Sequence, residues 1–461
     1  MEYTKINELI AGYQNKQFSP METAKAYIER IKKYDPLLQS FITLPEAEIL
    51  AQAELAEKNF MKQKARKLEG VPVSYKDNIN TKNIKTTNGS PIQEHNIPLE
   101  NAEVVNRLQH AGTVTIGKTN LYEYAFGITS SNPYYGDVTN LWGEGLTAGG
   151  SSSGAAAAVA AGFCSASIGT DTAGSVRVPA SCTGTVGLKP TYGLIDMQGI
   201  YPLSWSLDHS GVLTHNVEDL AEIMNVFTKL QETKQLPLSK VKVGVPSSYF
   251  TENINEEVNH FYLEALRKLE SLGASLIEID GTFAAGSIET AKTIATSEVG
   301  YVHKEQAKTL LDKYSEGAKA VFRKSGIISA HEYFHALETR KKMKHSLAHI
   351  FETVDIIATP TIPNLPFHKS VKNLSFGSVT EDINDTMIRF TSVFNLSGNP
   401  AISIPCAFTE EELPVGLQLI GDYFQEERII HAALAYEKHF LEEFYQMRTK
   451  KLHSFIGHDV H

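Results

Sequence analysis

Apolar positions recur at three- and four-residue intervals over residues 6–13 and again over 19–34, the spacing of amphipathic helices. The second run opens Ser19-Pro20-Met21-Glu22, in which Ser caps, Pro fits the first turn and Glu completes a capping box. Ala24, Ala26, Tyr27 and Ile31 then fall on the core side. A third helix is predicted at about residues 44–66. Short apolar runs bounded by turn residues follow at 71–75 and 114–118, with a helical pattern at 101–111 between them. That is the β-α-β order of buried strands. Residues 120–127 read as a short aromatic segment, a core helix or a pocket wall. Further along come a helix at 217–230, a polar loop at 231–240, and a second β-α-β unit at 241–246, 255–273 and 274–279. This unit is too short to stand alone. Residues 285–350 read as helices rich in Lys, Glu and His, 354–361 as a buried strand, and 426–441 as a closing helix. The end, 448–461, reads as a loosely held tail.

One stretch, from Thr147 to Pro190, follows neither period. It is built mainly of Gly, Ala, Ser and Thr, yet it carries Val159, Phe163, Ile168, Val176, Val178, Val186 and Leu188, which a flexible linker would lack. It therefore predicts packed backbone with little side chain in the way. Small residues let main chain approach a ligand closely, and freed N–H groups can be aimed at an anion or a developing oxyanion. The side chains left for covalent work are serines. A serine needs a base, and no His lies in this stretch. Lys76 offers one, at the end of the strand-like run at 71–75, because burial lowers a lysine's pKa. Asp208 and His209 form an acid–base pair in sequence only, read as a hydrogen-bonded turn and left out of the catalytic set.

Composition narrows the class without changing the picture. A chain of 461 residues, 42% hydrophobic and 21% charged, is a folded enzyme-sized protein of one large or two ordinary domains. The net charge of −10 argues against nucleic acid as a bulk electrostatic partner. Cys164, Cys182 and Cys406 are odd in number and widely spaced, which fits buried packing in a reducing compartment. With no signal-peptide pattern and no long apolar run, the expected localisation is cytoplasmic, away from membranes.

Gly149-Gly150-Ser151-Ser152-Ser153-Gly154 and the run from Gly169-Thr170-Asp171-Thr172-Ala173 to Gly174-Ser175-Val176-Arg177-Val178-Pro179 together resemble the amidase signature family. The resemblance implies a Ser-Ser-Lys triad with Ser175 as nucleophile, Ser151 as bridging serine and Lys76 as base. It implies a cis peptide bond entering Ser151, and an oxyanion hole at the N–H groups of Thr172, Ala173, Gly174 and Ser175. Gly149 and Gly150 are then expected beside the substrate, and Asp171, Arg177 and Ser152 as structural braces. Ala173 stands where the family commonly has Gly, so its φ is expected to be negative.

The implied fold is α/β, a single amidase-signature domain over residues 1–461 with a central mixed β-sheet of many strands covered by helices on both faces. Residues 1–66 would form an N-terminal helical wrap, 67–215 and 354–441 the catalytic core, and 285–350 the variable helices of the substrate pocket. The implied function is hydrolysis of a small-molecule amide to carboxylate and ammonia or amine, with no metal or cofactor and with a homodimer left open. An esterase is chemically adjacent. The amidase-type component of the glutamyl-tRNA(Gln) amidotransferase, its A subunit, shares the signature and is the alternative. That protein carries an acidic residue for the glutamine amino group, and Ile388 stands at the corresponding position here, which favours a free-standing amidase. An inactive scaffold is a third reading, opposed by the intact Lys76, Ser151 and Ser175.

Overall fold

Local signals account for the first elements. In the computed structural model, which describes residues 3–230 and 238–457, Ser19 caps the helix Pro20–Leu38 and exchanges capping-box hydrogen bonds with Glu22. The third helix is shorter than its pattern, Glu46–Met61. Strands form at Pro72–Lys76 and Val114–Thr119 with the helix Glu103–Ala111 between them, and the two strands pair in parallel. The second β-α-β unit is likewise present, its strands Lys242–Pro246 and Ser275–Ile279 parallel neighbours. Of the loop predicted at 231–240, residues 231–237 lie outside the described residues, and Leu238–Lys240 is a single 3₁₀ turn.

These strands belong to one mixed sheet of eleven. Its spatial order is Phe41–Thr43, Val114–Thr119, Pro72–Lys76, Ala166–Asp171, His209–Thr214 and Val186–Lys189, then Ala401–Phe408, Pro414–Gly421, Ile356–Pro360, Lys242–Pro246 and Ser275–Ile279. Successive side chains on a strand point to opposite faces, and both faces are covered. On one strand, Val212 joins the core under the helices Val217–Met224 and Glu426–Phe440, while Leu213 joins a second core under Pro20–Leu38 and Ser153–Ala160.

Two pairings position the chemistry. Ala166–Asp171 runs parallel to Pro72–Lys76, with Tyr75 opposite Ile168, and antiparallel to His209–Thr214, with Asp171 opposite His209. The end of the first strand at Lys76, the end of the second at Asp171 and the start of the third at His209 therefore share one sheet edge, where α/β folds place ligands. The wholly buried helix Ser153–Ala160 packs over these strands and against Arg177–Thr183. Its composition is set by clearance: a Cβ at Gly154 would sit 2.4 Å from Ser40 O.

The region predicted as variable helices contains Ser287–Val302, Glu316–Ser325 and Ala330–Ile350, and the first of these packs on the other two and on Ser392–Ser397. The predicted loose tail is corrected: Glu442–Gly457 is a helix, in which Leu452 is fully buried. Its Arg448 donates to Gly184 O at 3.1 Å and His215 O at 2.8 Å, satisfying carbonyls that the tail reading left unaccounted for. Residues 458–461 lie outside the described residues. No helix among the described residues is long and apolar enough to cross a membrane. The three cysteines are free and buried.

Candidate active site

Lys76 ends its strand fully buried, and its Nζ donates to Ser151 Oγ at 2.7 Å and to Thr170 Oγ1 at 2.8 Å. Burial drives its pKa down to about 7, against the pull of the Asp208 and Asp171 carboxylates. Ser151 follows a cis peptide bond from Gly150. Ser152 N–H donates to Ser175 O at 3.2 Å, so the two serine-bearing loops touch through the main chain. Ser175 is 5% exposed, and its hydroxyl makes no hydrogen bond among the described residues. Ser151 and Lys76 are thus joined directly, whereas Ser175 Oγ is left free at the edge of the same site.

The turn from 171 to 176 is held from within by Asp171. Its carboxylate accepts from Gly174 N at 2.8 Å, Val176 N at 3.2 Å and Arg177 Nε at 3.0 Å. Gly174 N–H is therefore engaged, which leaves the amides of Thr172, Ala173 and Ser175 without an acceptor among the described residues. Gly174 has φ +137°, a conformation open to glycine, whereas Ala173 is absent from the residues of positive φ. The alanine is accommodated without left-handed strain.

Arg177 is buried and spends all five N–H groups on the protein. Nε and NH2 hold Asp171, NH1 reaches Thr391 O at 3.1 Å and Gln418 Oε1 at 2.7 Å, and NH2 also reaches Asn395 Oδ1 at 2.6 Å. No donor is left for a ligand. Burial disfavours the Asp171 carboxylate, but Arg177 outweighs it and keeps its pKa well below the usual range. Breaking a buried pair of this kind costs about 3–5 kcal/mol. Arg177→Met is expected to lose stability of that order in denaturant unfolding. A variant of unchanged stability and altered substrate preference would move Arg177 into the pocket.

Ser152 Oγ donates to Thr170 O at 3.1 Å, bracing the strand end that carries Lys76's second acceptor. Gly149 and Gly150 owe their identity to packing. A Cβ at Gly149 would sit 2.9 Å from Pro179 Cα, and one at Gly150 would sit 2.1 Å from Thr129 O.

Two further residues belong to this edge, Asp208, set aside above as part of a turn, and Thr391. Asp208 accepts from Thr172 Oγ1 at 2.6 Å, and from Leu203 N and Ser204 N. Burial raises its pKa to about 7, against these hydrogen bonds. Thr391 Oγ1 donates to Ala173 O at 2.6 Å. The local sequence shows Asp208 only as a turn residue and does not mark Thr391; what brings Asp208 to Thr172 is the pairing of Asp171 opposite His209, which only the sheet supplies. His209 itself is buried, and burial together with the neighbouring Lys189 holds its pKa well below the ordinary value, so it stays neutral.

A family model described as Amidase matches residues 22–430. The glutamyl-tRNA(Gln) amidotransferase A subunit of Alkaliphilus metalliredigens is 35% identical, over 98% of this chain and 100% of that one. A solved amidase superposes with a TM-score of 0.89 at 27% identity, over 95% of this chain and 100% of that one. The solved glutamyl-tRNA(Gln) amidotransferase A subunit of Thermotoga maritima superposes with a TM-score of 0.78 at 32% identity, over 91% and 92%.

Proposed function

The chain belongs to the amidase family, whose enzymes act on amide C–N bonds, and we propose that it cleaves its amide through an acyl-enzyme on Ser175. The observation that carries this reading is the buried contact of Lys76 Nζ with Ser151 Oγ at 2.7 Å, one loop contact from Ser175. A lysine brought to a pKa of about 7 is largely neutral in mildly alkaline water and can accept a proton.

In the proposed sequence, Ser175 Oγ attacks the amide carbonyl carbon. Its proton passes to Ser151, and the Ser151 proton passes to Lys76. The carbonyl π pair moves onto oxygen, where the N–H groups of Thr172, Ala173 and Ser175 receive it. Collapse breaks the C–N bond, with the proton returned through Ser151 to the leaving nitrogen. Water then attacks the ester carbonyl and gives its proton through Ser151 to Lys76; collapse breaks the C–Oγ bond, the proton returns through Ser151 to Ser175 Oγ, and the acid product ionises to carboxylate. Lys76, Ser151 and Ser175 are the catalytic groups of this scheme. Asp171 and Ser152 are braces, and Gly149 and Gly150 bring the main chain close.

Asp208 has a positioning role in the scheme: it fixes Thr172 and places a carboxylate where it favours protonated Lys76. Asp208→Asn removes that charge and keeps one acceptor oxygen, which can serve either Thr172 or the Leu203 and Ser204 amides. The acid limb of kcat/KM against pH is expected to move to lower pH, with a plateau change under about tenfold. An unmoved limb with lost activity would reduce Asp208 to a structural part.

A second reading has specific support. Relatives covering nearly the whole chain at 34–36% identity are subunits of glutamyl-tRNA(Gln) amidotransferases, which favours release of ammonia from glutamine for a partner protein. Assaying ammonia release from glutamine and from simple amides, with and without such a partner, separates the two. Release confined to glutamine would displace the free-standing amidase.

A further inference from the structure

Resting on the Ser175 reading, we infer that the acyl part of the substrate is an uncharged apolar chain or ring, received against a wall formed by Ile128, Ile288 and Ile388. Within the turn from 171 to 176, Ala173 alone is more than marginally exposed. Its methyl packs with an apolar cluster that includes Ile128, Met387 and Ile388, together with the partly buried Ile288.

Separate anchors hold the segments bearing these side chains, directly or through Ser392 beside Thr391, to the loops that carry Ser151 and Ser175. Thr391 Oγ1 donates to Ala173 O at 2.6 Å and to Ile388 O at 3.3 Å, which pins the turn bearing Ile388 to the residue two before Ser175. On the other flank, Gly150, which precedes Ser151, lies against the main chain of Ile128 and Thr129: a Cβ there would sit 3.1 Å from Ile128 C. Ile288 arrives at the start of the helix Ser287–Val302, where Ser392 Oγ donates to Ser287 Oγ at 3.3 Å.

Charges on the same elements are occupied elsewhere. Lys292 pairs with Asp385 at 2.8 Å, and Arg389 with Glu381 at 2.7 Å. Asp382 caps its own helix through Asn384 N, and Glu289 is exposed. Arg177 has no N–H to spare. An α-amino-acid amide such as glutamine would bring an ammonium and a carboxylate to this wall, whose three isoleucine side chains offer neither a hydrogen bond nor a counter-charge.

The test is ammonia release from straight-chain amides, from acetamide to hexanamide, beside L-glutamine. The kcat/KM is expected to rise about fourfold per added methylene, with glutamine roughly 100-fold or more below hexanamide. Ile388→Asp should flatten the series. Ile288→Phe, at a partly exposed position, should shift the maximum to shorter chains. The same wall is read without turnover in the rates at which ethyl and hexyl fluorophosphonates label Ser175, hexyl being the faster. A flat series, or glutamine preferred, overturns the wall while leaving Ser175 standing. Failure of every probe to label Ser175 overturns the nucleophile assignment, and this inference with it.

Discussion

Ser175→Ala is expected to lower kcat by roughly a millionfold, because removing the nucleophile abolishes the covalent route and leaves only binding and oxyanion stabilisation. The two structural facts behind this expectation are the free Ser175 hydroxyl at the edge of the site and the three unengaged amides of Thr172, Ala173 and Ser175 beside it. Intact-mass measurement after a fluorophosphonate should find a single adduct in the wild type and none in the variant. Ser151→Ala should be milder, about 10²- to 10⁴-fold, since Lys76 then acts through water. Labelling of another serine, or turnover within about tenfold of wild type in Ser175→Ala, would sink the assignment.

The second large effect concerns Lys76, whose pKa is brought to about 7 by burial. As the base, it must be neutral, so kcat/KM should rise with pH through neutrality, with apparent ionisations that belong to Lys76 and Asp208 together. Lys76→Arg keeps a permanent charge and should lose at least about 10³-fold at every pH. Substantial activity in that variant, or a profile flat through neutrality in the wild type, would remove Lys76 from the proton path. Stability gives an independent reading. The folded-state pKa lies below the unfolded value of 10.5, so between about 7 and 10.5 the unfolded chain holds more protons than the folded one. The contribution of Lys76 to stability therefore rises with pH across that window, and its penalty is complete below about 7. Lys76→Met should accordingly be more stable than wild type at pH 6, by a margin that shrinks toward pH 10.5. Unfolding midpoints measured across that range check the sign.

The sequence by itself was informative where chemistry and structure are local. The box at Ser19 and Glu22 is made by residues three apart, so type and spacing suffice to mark it; the small-residue stretch from Thr147 to Pro190 stands out by composition, whereas the roles of Ser151, Asp171, Ser175 and Arg177 within it came from the family resemblance. Helix and strand periods likewise brought out both β-α-β units. The mixed sheet and the cis bond at Ser151 came from the family resemblance rather than from any period.

What only the tertiary structure decided depends on register and on packing between distant segments. Asp208 is the turn residue its sequence suggested, accepting from Leu203 N and Ser204 N, and the pairing of Asp171 opposite His209 is what also brings its carboxylate to Thr172. Gly174 looked like an oxyanion donor until Asp171 took its amide, and Arg177 was shown to be saturated only by Thr391, Asn395 and Gln418, more than 200 residues away along the chain. Residues from 448 onward looked like a tail because their helical pattern is weak. The burial of Arg448 and Leu452 against other parts of the chain holds Glu442–Gly457 as a helix. A sequence period reports which face of an element is apolar. Which other element meets that face, and which polar groups find partners there, is set by shape and hydrogen bonding across the fold.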